Sequence, residues 1–421
     1  MNELKPWLPE LDPPAGGYAR LAAAIAENVA KLAPFPVTRA YFLGSDGAPR
    51  QAGTSLRNPD FAASLQQIAV EGSAPLYRGR IGDALVQAVH EAPMNPGLLS
   101  REDLASYRAV LRDPVCRPYR AFEVCGMGPP SSGGVAVLQI LGLLEHFDMA
   151  GLGPSADGMQ ALLEASKQAF ADRNLYLADN DFVRVPVKGL LDDGYLTARA
   201  QQIRLDGSMD KAAAGNPRWR EARLLAPDEA DKLPGTSQLV VVDADGNALS
   251  MTTTIESGFG SGLMVGGFLL NNELTDFSFV PTVDGRPVAN RVEPGKRPRS
   301  SMSPTLVFDK ATGELLMSGG SPGGALIIHY TAKTLYGVLN WGMLPQQAIN
   351  LPNFGSLNGP SLLEEKRFPP ATVEQLRMRG AEVREMNMTS GLQALQRGQA
   401  QGRPAWLGGA DPRREGVVMG D

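Results

Sequence analysis

The sequence predicts a layered α+β fold, and three observations favour it. Up to about residue 115, apolar residues recur at helical intervals, as Ile25 and Leu32 do within the predicted helix 19–33. After Thr236 the pattern changes to short runs of β-branched residues separated by turn residues. Helices and hairpins thus occupy separate parts of the chain without regular βαβ alternation, which favours helices layered on antiparallel sheets.

The first part of the chain contains further predicted helices. Apolar residues keep the helical spacing in 58–72 and 82–92, and the second segment is followed by the turn residues PMNPG. Ser100 lies just before Asp103 at the spacing of a residue that caps the start of a helix.

The middle of the chain mixes strand and helix signals. The segment 119–127 (YRAFEVCGM) is predicted as a strand that leads into the loop GPPSSGG. Two apolar helices are predicted next, over 135–147 and 158–179. The polar stretch 200–235 has little apolar periodicity, so we expect an exposed connector that ends just before Thr236.

The last part of the chain is dominated by hairpin signals. Residues 237–254 are predicted as a hairpin around the turn ADGN, and 304–320 as a second hairpin around KATG. A short strand is expected over 266–272. The glycine-rich SPGG then leads into a predicted helix over 325–340.

Composition excludes several classes of function. Forty basic and 45 acidic residues give a net charge of −5 without long runs of either sign, which argues against nucleic acid and anionic membranes as partners. The three histidines do not support a His-rich metal site, so we expect neither metal nor cofactor. Cys116 and Cys125 are expected to be unpaired, although a bridge between them is conceivable in an oxidising compartment.

The segment GGSPG (319–323) fits the GxSxG pattern of a serine nucleophile elbow, but two observations argue against that interpretation. Pro322, directly after the serine, has no backbone N–H to donate to an oxyanion. His329 is the only downstream histidine and lies on the helix that follows at once. The glycines at this helix start still offer free backbone amides for an anion.

A set of motifs in a fixed order is more specific than any of these features. PPSSGG (129–134) and ADRNLYLADNDF (171–182) precede GTSQLVVVDADGNALSMTT, which begins at Gly235. FGSGLM, LLNNELTDFS, KRPRSSMSPT, SGGSPGG and finally DPRR follow in that order. Together these segments resemble the gamma-glutamyltransferase family, whose members are N-terminal-nucleophile hydrolases, and the resemblance spans most of the chain.

The resemblance implies a four-layer αββα sandwich and a self-cleaving precursor. Members of the family cut themselves before a threonine, which then serves as nucleophile while its new α-amine serves as base. The matching residue is Thr236, preceded by Gly235. We therefore expect 1–235 to be the large-subunit part and 236–421 the small subunit, together forming one interleaved catalytic domain.

The resemblance also implies a set of site residues. Thr254 matches a threonine that supports the nucleophile, and Gly323 and Gly324 match the amides of the oxyanion hole. The substrate ammonium is expected at Asp276 with Glu273 and Glu256, and its α-carboxylate at Ser300 and Ser301. Without the resemblance, each of these residues alone would be interpreted as an ordinary strand-end or turn residue.

Three departures from the family pattern affect the expected activity. The segment that starts with the nucleophile is Thr236-Ser237-Gln238 instead of Thr-Thr-His, and Glu256 stands where well-known members have asparagine. The chain also begins late and lacks roughly 130–150 residues, which carry part of the core and an arginine for the substrate carboxylate in the family. We therefore expect this form to hydrolyse γ-glutamyl anilides poorly, unless a cation such as Arg299 replaces that arginine.

The expected function is transfer or hydrolysis of the γ-glutamyl group of glutathione and related amides, with an amino acid, peptide or water as acceptor. The alternatives are an acylase for cephalosporins or other amides, a truncated inactive remnant, and a partner-binding piece that needs another chain to complete its sheet. The sequence as given indicates a cytoplasmic protein, or a periplasmic or secreted one if an upstream signal peptide is missing.

Overall fold

The computed structural model describes residues 17–218, 225–228 and 235–420. The chain forms two compact units, one made of Met1–Val110 with Ser257–Asn272 and the other of Leu111–Glu256 with Glu273–Asp421. Both contain helices and strands, and the predicted α+β class is confirmed.

The helices, in chain order, are α1 (Gly17–Glu27), α2 (Val29–Leu32), α3 (Pro36–Phe42), α4 (Pro59–Glu71), α5 (Ala74–Arg78), α6 (Arg80–His90), α7 (Arg101–Ser106), α8 (Gly133–Leu144), α9 (Met149–Leu152), α10 (Ala156–Tyr176), α11 (Val187–Leu190), α12 (Asp193–Ala200), α13 (Ile327–Trp341), α14 (Pro345–Asn350) and α15 (Pro370–Met378). The strands are β1 (Val115–Tyr119), β2 (Phe122–Gly126), β3 (Thr236–Val242), β4 (Ala248–Thr254), β5 (Met264–Val265), β6 (Phe268–Leu269), β7 (Thr282–Val283), β8 (Arg286–Pro287), β9 (Thr305–Asp309), β10 (Leu315–Gly320), β11 (Phe354–Gly355), β12 (Ser361–Glu364), β13 (Val383–Met386), β14 (Gln393–Ala400) and β15 (Arg403–Ala410).

The first unit consists of α1–α7 and the short β5–β6 hairpin. The predicted helix 19–33 is interrupted at Asn28, because the Asn28 side chain donates to the Ala24 carbonyl at 2.8 Å and competes with the helical backbone. The expected cap is confirmed, since the Asp103 amide donates to Ser100 Oγ at 3.1 Å. The strand predicted over 266–272 is shorter, and only Phe268–Leu269 pairs, with β5.

The second unit is built around a six-stranded antiparallel sheet with the order β1-β2-β9-β10-β14-β15. Helices α8 and α13 pack on this sheet, and α10 packs on α8. The predicted helices 135–147, 158–179 and 325–340 are confirmed as α8, α10 and α13. Their buried side chains and those of the sheet form the main core, which includes Leu138, Leu163, Phe170, Val307, Met317 and Tyr336.

The β3–β4 hairpin packs against β10 and β14, two interior strands of the six-stranded sheet. Ser250 Oγ donates to the Gly319 carbonyl at 2.8 Å, and Ser318 Oγ donates to the Leu249 carbonyl at 3.3 Å. Gly320 leaves room for the Gln238 side chain, because a Cβ at position 320 would lie 2.6 Å from Gln238 Oε1. The opposite face of the hairpin carries large apolar side chains that are 39 to 50% exposed: Leu239, Val241, Leu249 and Met251.

Two expectations for the second unit are wrong. The segment 119–127 is not one strand, because the chain turns at Arg120 (φ 53°) between β1 and β2. The stretch 200–235 is not simply exposed, because Ile203, Ala212 and Ala226 are buried. Residues 219–224 and 229–234 of this stretch lie outside the described residues.

The expectation of unpaired cysteines is also wrong. The β1–β2 register places Cys116 directly opposite Cys125, with the two Cα atoms 4.1 Å apart, and the two residues form a disulfide. The hairpin turn that the sequence analysis missed is therefore what brings the two thiols together.

Among the described residues, no helix is long and apolar enough to cross a membrane.

The disulfide gives a prediction about stability. Cys125→Ser should lower the free energy of unfolding by at most about 2–3 kcal/mol, because the bridge closes only a short loop of the unfolded chain. Urea unfolding of the variant and the wild type measures this difference, and titration of free thiols under denaturing conditions checks the bridge. Two reactive thiols in the unreduced wild type would contradict it.

Candidate active site

The register of the β3–β4 hairpin creates the centre of the site. Thr236 is the first residue of β3 and pairs with Thr254, the last residue of β4. Their hydroxyls are hydrogen-bonded, with Thr236 Oγ1 donating to Thr254 Oγ1 at 3.1 Å. The turn between the strands fixes this register, because Asp243 accepts from the Asn247 amide at 2.8 Å.

Thr254 is also bonded to the residue before the predicted nucleophile. Its hydroxyl donates to the Gly235 carbonyl at 3.4 Å and accepts from the Glu256 amide at 2.8 Å. The second contact requires an unusual backbone, since Glu256 has a φ of 72°. Thr254 therefore links the predicted nucleophile to the carbonyl of the Gly235–Thr236 peptide bond.

A small pocket surrounds these two threonines. Its volume is about 30 Å³, which is room for one or two water molecules. Its lining contains seven of the nine predicted site residues, namely Thr236, Thr254, Glu256, Asp276, Ser300, Ser301 and Gly324. A γ-glutamyl group is larger than this space, so a substrate could enter only if the pocket widened.

The remaining two predicted residues adjoin this lining. Glu273 begins the 3₁₀ helix Glu273–Asp276, whose last residue faces the pocket. Gly323 immediately precedes Gly324, and its φ of 142° and the Tyr330 ring 2.5 Å from a hypothetical Cβ both exclude a larger residue. The pocket thus holds two of the three expected carboxylates, those of Glu256 and Asp276.

The loop PPSSGG holds the serine pair in place. The amide and hydroxyl of Ser132 both donate to the Ser300 carbonyl, at 2.8 and 2.6 Å, and Ser131 Oγ donates to the Met302 carbonyl at 2.6 Å. Gly133 permits this close approach, since a Cβ there would lie 2.3 Å from the Met302 carbonyl oxygen. The PPSSGG motif, for which the sequence predicts no role, thus positions Ser300 and Ser301.

Arg173 on α10 supplies a positive charge directly behind the serine pair. Its guanidinium donates to Ser301 Oγ at 2.6 Å and to Ser132 Oγ at 2.9 Å. It also donates to Asn174, so its hydrogen bonds to described residues all end on neutral groups. Burial, together with the nearby charge of Arg299, lowers the pKa of Arg173, and the carboxylates of Asp228 and Asp276 oppose this shift.

Arg299 does not face the pocket. Its guanidinium donates to Asp228 at 2.9 Å and to the Arg173 carbonyl at 3.1 Å, and its side chain is almost fully buried. The same region fixes Asp276, because Asn290 Nδ2 donates to both the Asp276 carbonyl and Asp228. Arg299 therefore lies behind the site. The cation next to the serine pair, where the sequence suggested Arg299, is Arg173.

His329 is not a candidate acid or base for this pocket. Burial lowers its pKa to about 3, which keeps the imidazole neutral. Its ring stacks on Phe170 at 4.8 Å between centroids, and Phe170 lies beneath the guanidinium of Arg173 at 5.1 Å. His329 thus supports the arginine through an aromatic stack.

The segment around Arg414 contacts the predicted nucleophile, Thr236. Arg414 donates to the Thr236 carbonyl at 2.9 Å and to the Thr389 carbonyl at 3.1 Å. The neighbouring Arg413 is bound to Glu364 and to Asp411, at 2.7 and 3.2 Å. The DPRR motif has no role that the sequence predicts, and nothing in the sequence places it near a residue 178 positions earlier.

The comparison with known families agrees with these features. The family described as Gamma-glutamyltranspeptidase matches residues 18–421. The chain belongs to the gamma-glutamyltranspeptidase family. Seven of the predicted site residues line one pocket, and Arg173, Asn290 and Arg414 contact this lining or the residues that hold it.

Individual relatives show how far the similarity extends. The chain is 40% identical over 347 residues to a "Glutathione hydrolase proenzyme" of Escherichia coli, covering 80% of this chain and 57% of that protein. It is 35% identical over 379 residues to an "Acylase ACY 1 proenzyme" of a Pseudomonas species, covering 89% of this chain and 63% of that protein. The alignments thus span less than two thirds of each of these relatives.

A solved structure supports the fold. The chain matches a cephalosporin acylase from Bacillus halodurans with a TM-score of 0.76 and 22% identity, covering 99% of this chain and 68% of that chain. Within the ranges that the structure describes, no group of three or more His, Cys, Asp or Glu residues could hold a metal ion.

The Arg173–Ser301 contact can be tested by a double-mutant cycle. All proteins carry Thr236→Ala, which removes the predicted nucleophile so that every chain is uncut. The effects of Arg173→Gln and Ser301→Ala on the free energy of unfolding should be coupled by about 1.5–3 kcal/mol, as expected for a hydrogen bond to a charged group. Urea unfolding of the four proteins gives the coupling. The control pair, Arg173→Gln with Ser303→Ala, should be nearly additive, because Ser303 Oγ binds the Ser301 carbonyl instead. A coupling below about 0.5 kcal/mol for the first pair would contradict the contact.

Proposed function

We propose that the chain cuts itself between Gly235 and Thr236 and then uses Thr236 to hydrolyse or transfer γ-glutamyl groups. The observation that carries this proposal is the hydrogen bond from Thr236 Oγ1 to Thr254, whose own hydroxyl contacts the Gly235 carbonyl. These two hydrogen bonds connect the proposed nucleophile, through the Thr254 hydroxyl, to the carbonyl of the bond that we propose is cut. Similarity to a protein named a glutathione hydrolase proenzyme supports the same reading.

The cutting reaction follows from this geometry. Thr236 Oγ1 attacks the Gly235 carbonyl carbon, its proton passes to the leaving amide nitrogen, and an ester replaces the peptide bond. The Thr254 hydroxyl stabilises the charge that develops on the carbonyl oxygen. Water then hydrolyses the ester and leaves Thr236 with a free α-amine. The pieces 1–235 and 236–421 remain together as large and small subunits.

The cut chain would act on substrate by the same chemistry. The α-amine of Thr236 takes the proton of the threonine hydroxyl while the oxygen attacks the γ-carbonyl of the substrate. The leaving amine takes that proton, and a γ-glutamyl ester remains on Thr236. Water or the amine of an amino acid or peptide resolves the ester. We assign the amides of Gly323 and Gly324, at the start of the 3₁₀ helix Gly324–Leu326, as the donors that stabilise the oxyanion.

Recognition of the γ-glutamyl group rests on two charged ends. Asp276 and Glu256 supply negative charge for the α-ammonium. Ser300 and Ser301 donate hydrogen bonds to the α-carboxylate, and Arg173 supplies the positive charge behind Ser301. We therefore propose glutathione and other γ-glutamyl amides as substrates, which are small molecules bound without cofactor.

The first prediction of this proposal concerns cleavage. Wild-type protein should separate on a denaturing gel into a piece that ends at Gly235 and a piece that starts at Thr236. Thr236→Ala should stay whole, because no hydroxyl remains to attack the carbonyl. Ser237→Ala is the matched control and should still cut, since Ser237 is exposed on the next position of β3. Cleavage in Thr236→Ala would rule out this nucleophile.

The second prediction concerns the ammonium site. Asp276→Ala should raise KM for a γ-glutamyl anilide and lower kcat/KM at least tenfold, or about 1.4 kcal/mol, because the substrate ammonium loses its carboxylate. Glu256→Asn should be tolerated, since asparagine adopts the positive φ of this position more readily than most residues. Asp245→Ala, at an exposed turn, should leave the kinetics unchanged. Equal kinetics for Asp276→Ala and wild type would mean that the pocket recognises another group.

An acylase for other amides is the second candidate, favoured by the 35% identity to a protein named acylase. A glutaryl anilide distinguishes the two, because it differs from the γ-glutamyl anilide only by lacking the α-ammonium. A γ-glutamyl enzyme should prefer the γ-glutamyl anilide by tenfold or more and lose this preference in Asp276→Ala. An acylase should hydrolyse the glutaryl anilide at least as well. A chain that neither cuts nor hydrolyses either anilide would be the inactive remnant.

A further inference from the structure

We propose that Arg414 is a positioning residue for the catalytic base: its charge keeps the α-amine of Thr236 unprotonated, and its hydrogen bond fixes the Thr236 main chain. This inference rests on the proposed function, because the α-amine exists only after the chain is cut before Thr236. It assigns a role to the second arginine of the DPRR motif, which the mechanism above does not use.

A hydrogen bond places the Arg414 guanidinium next to Thr236. Arg414 Nη1 lies 2.9 Å from the Thr236 carbonyl oxygen. Within one residue the carbonyl oxygen and the nitrogen are at most about 3.6 Å apart, so this guanidinium nitrogen lies no more than about 6.5 Å from the Thr236 nitrogen. That nitrogen becomes the α-amine after cleavage. A full positive charge is therefore close to the group that must accept a proton.

Arg414 is held in this position from two sides. Its second terminal nitrogen donates to the Thr389 carbonyl at 3.1 Å, so the guanidinium bridges two main-chain segments. It ends the short 3₁₀ helix Pro412–Arg414, which is capped by Asp411. Asp411 itself is fully buried and accepts from Ser390 and from the Leu392 amide. A fork with two fixed acceptors has a defined direction toward Thr236.

Charged groups on every side of the pocket act on the same amine. Glu256 follows β4, and Asp276 and Glu273 come from the 3₁₀ helix, and their carboxylates favour the protonated ammonium. Arg173 acts from α10, behind Ser301, and favours the neutral amine. Arg414 contacts Thr236 directly, at its carbonyl oxygen. When the substrate ammonium binds at Asp276, its positive charge offsets the effect of those carboxylates on the pKa of the α-amine. The effect of the Arg414 charge on this pKa remains.

The direction of the effect is fixed by charge. A positive charge near an amine destabilises its protonated form and lowers its pKa from the ordinary value of about 7.7–8.0. The base is then neutral, and able to accept the threonine proton, at lower pH. Removing the charge should raise the pKa of the α-amine and move the acidic limb of the activity profile to higher pH.

The experiment measures kcat and kcat/KM for a γ-glutamyl anilide against pH. Arg414→Gln removes the charge, Arg414→Lys keeps it with a single donor group, and Arg397→Gln is the matched control. Arg397 is a half-exposed arginine that pairs with Glu314 at 2.6 Å on the outer part of β14. Each variant and the wild type are also prepared with a protease recognition sequence directly before Thr236, so that slow self-cleavage does not prevent the measurement.

Arg414→Gln should shift the acidic limb upward by about one pH unit. Arg414→Lys should keep the acidic limb of the pH profile at the wild-type pH while lowering kcat severalfold. Arg397→Gln should change neither the position of this limb nor kcat. A purely structural role would lower activity without moving the limb. If the wild type is cut and active but the acidic limb of Arg414→Gln lies at the wild-type pH, the proposed role of Arg414 is wrong. The proposed function is not contradicted by that result. A wild type inactive even when cut by the protease would contradict the proposed function itself.

Discussion

The hydrogen bond between the Thr236 and Thr254 hydroxyls is the contact on which the rest of the site depends. It exists because the β3–β4 register places the first residue of one strand opposite the last residue of the other. A register slip by one residue would place the two side chains on opposite faces of the hairpin. The turn at Asp243 and the packing of Ser250 and Gln238 against β10 prevent such a slip. Local turn chemistry and sheet packing thus position a predicted reaction centre.

Electrostatic balance is the second constraint on this pocket. Its lining contains two carboxylates, those of Glu256 and Asp276, and the neutral serines Ser300 and Ser301. The positive charge of Arg173 is buried behind the serines and hydrogen-bonded to neutral groups among the described residues. A buried cation of this kind is costly unless another charge compensates it. The nearby carboxylates of Asp228 and Asp276 supply part of that compensation.

Contacts between distant parts of the chain hold these groups together. The loop 129–134 is hydrogen-bonded to the segment Ser300–Met302. Asn290 donates to both the Asp276 carbonyl and Asp228. Arg414, far along the chain, donates to the Thr236 carbonyl. The contacts to Met302, Asp276 and Thr236 end on main-chain carbonyls, so they fix backbone positions and not only side chains. The arrangement explains how loops with many glycines and prolines can present a defined pocket.

The sequence by itself determined the class of fold, the long helices α8, α10 and α13, the β3–β4 hairpin and, through motif resemblance, seven residues that line the pocket. These features follow from local periodicity, turn residues or motif order. Only the tertiary structure decided the Cys116–Cys125 bridge, the interruption at Asn28, and the positions of Arg173 and Arg414. The Asn28 interruption is one side-chain bond competing with the helix. The other three depend on strand register or on contacts between residues far apart in the chain, and such pairings leave no periodic signal in a single sequence.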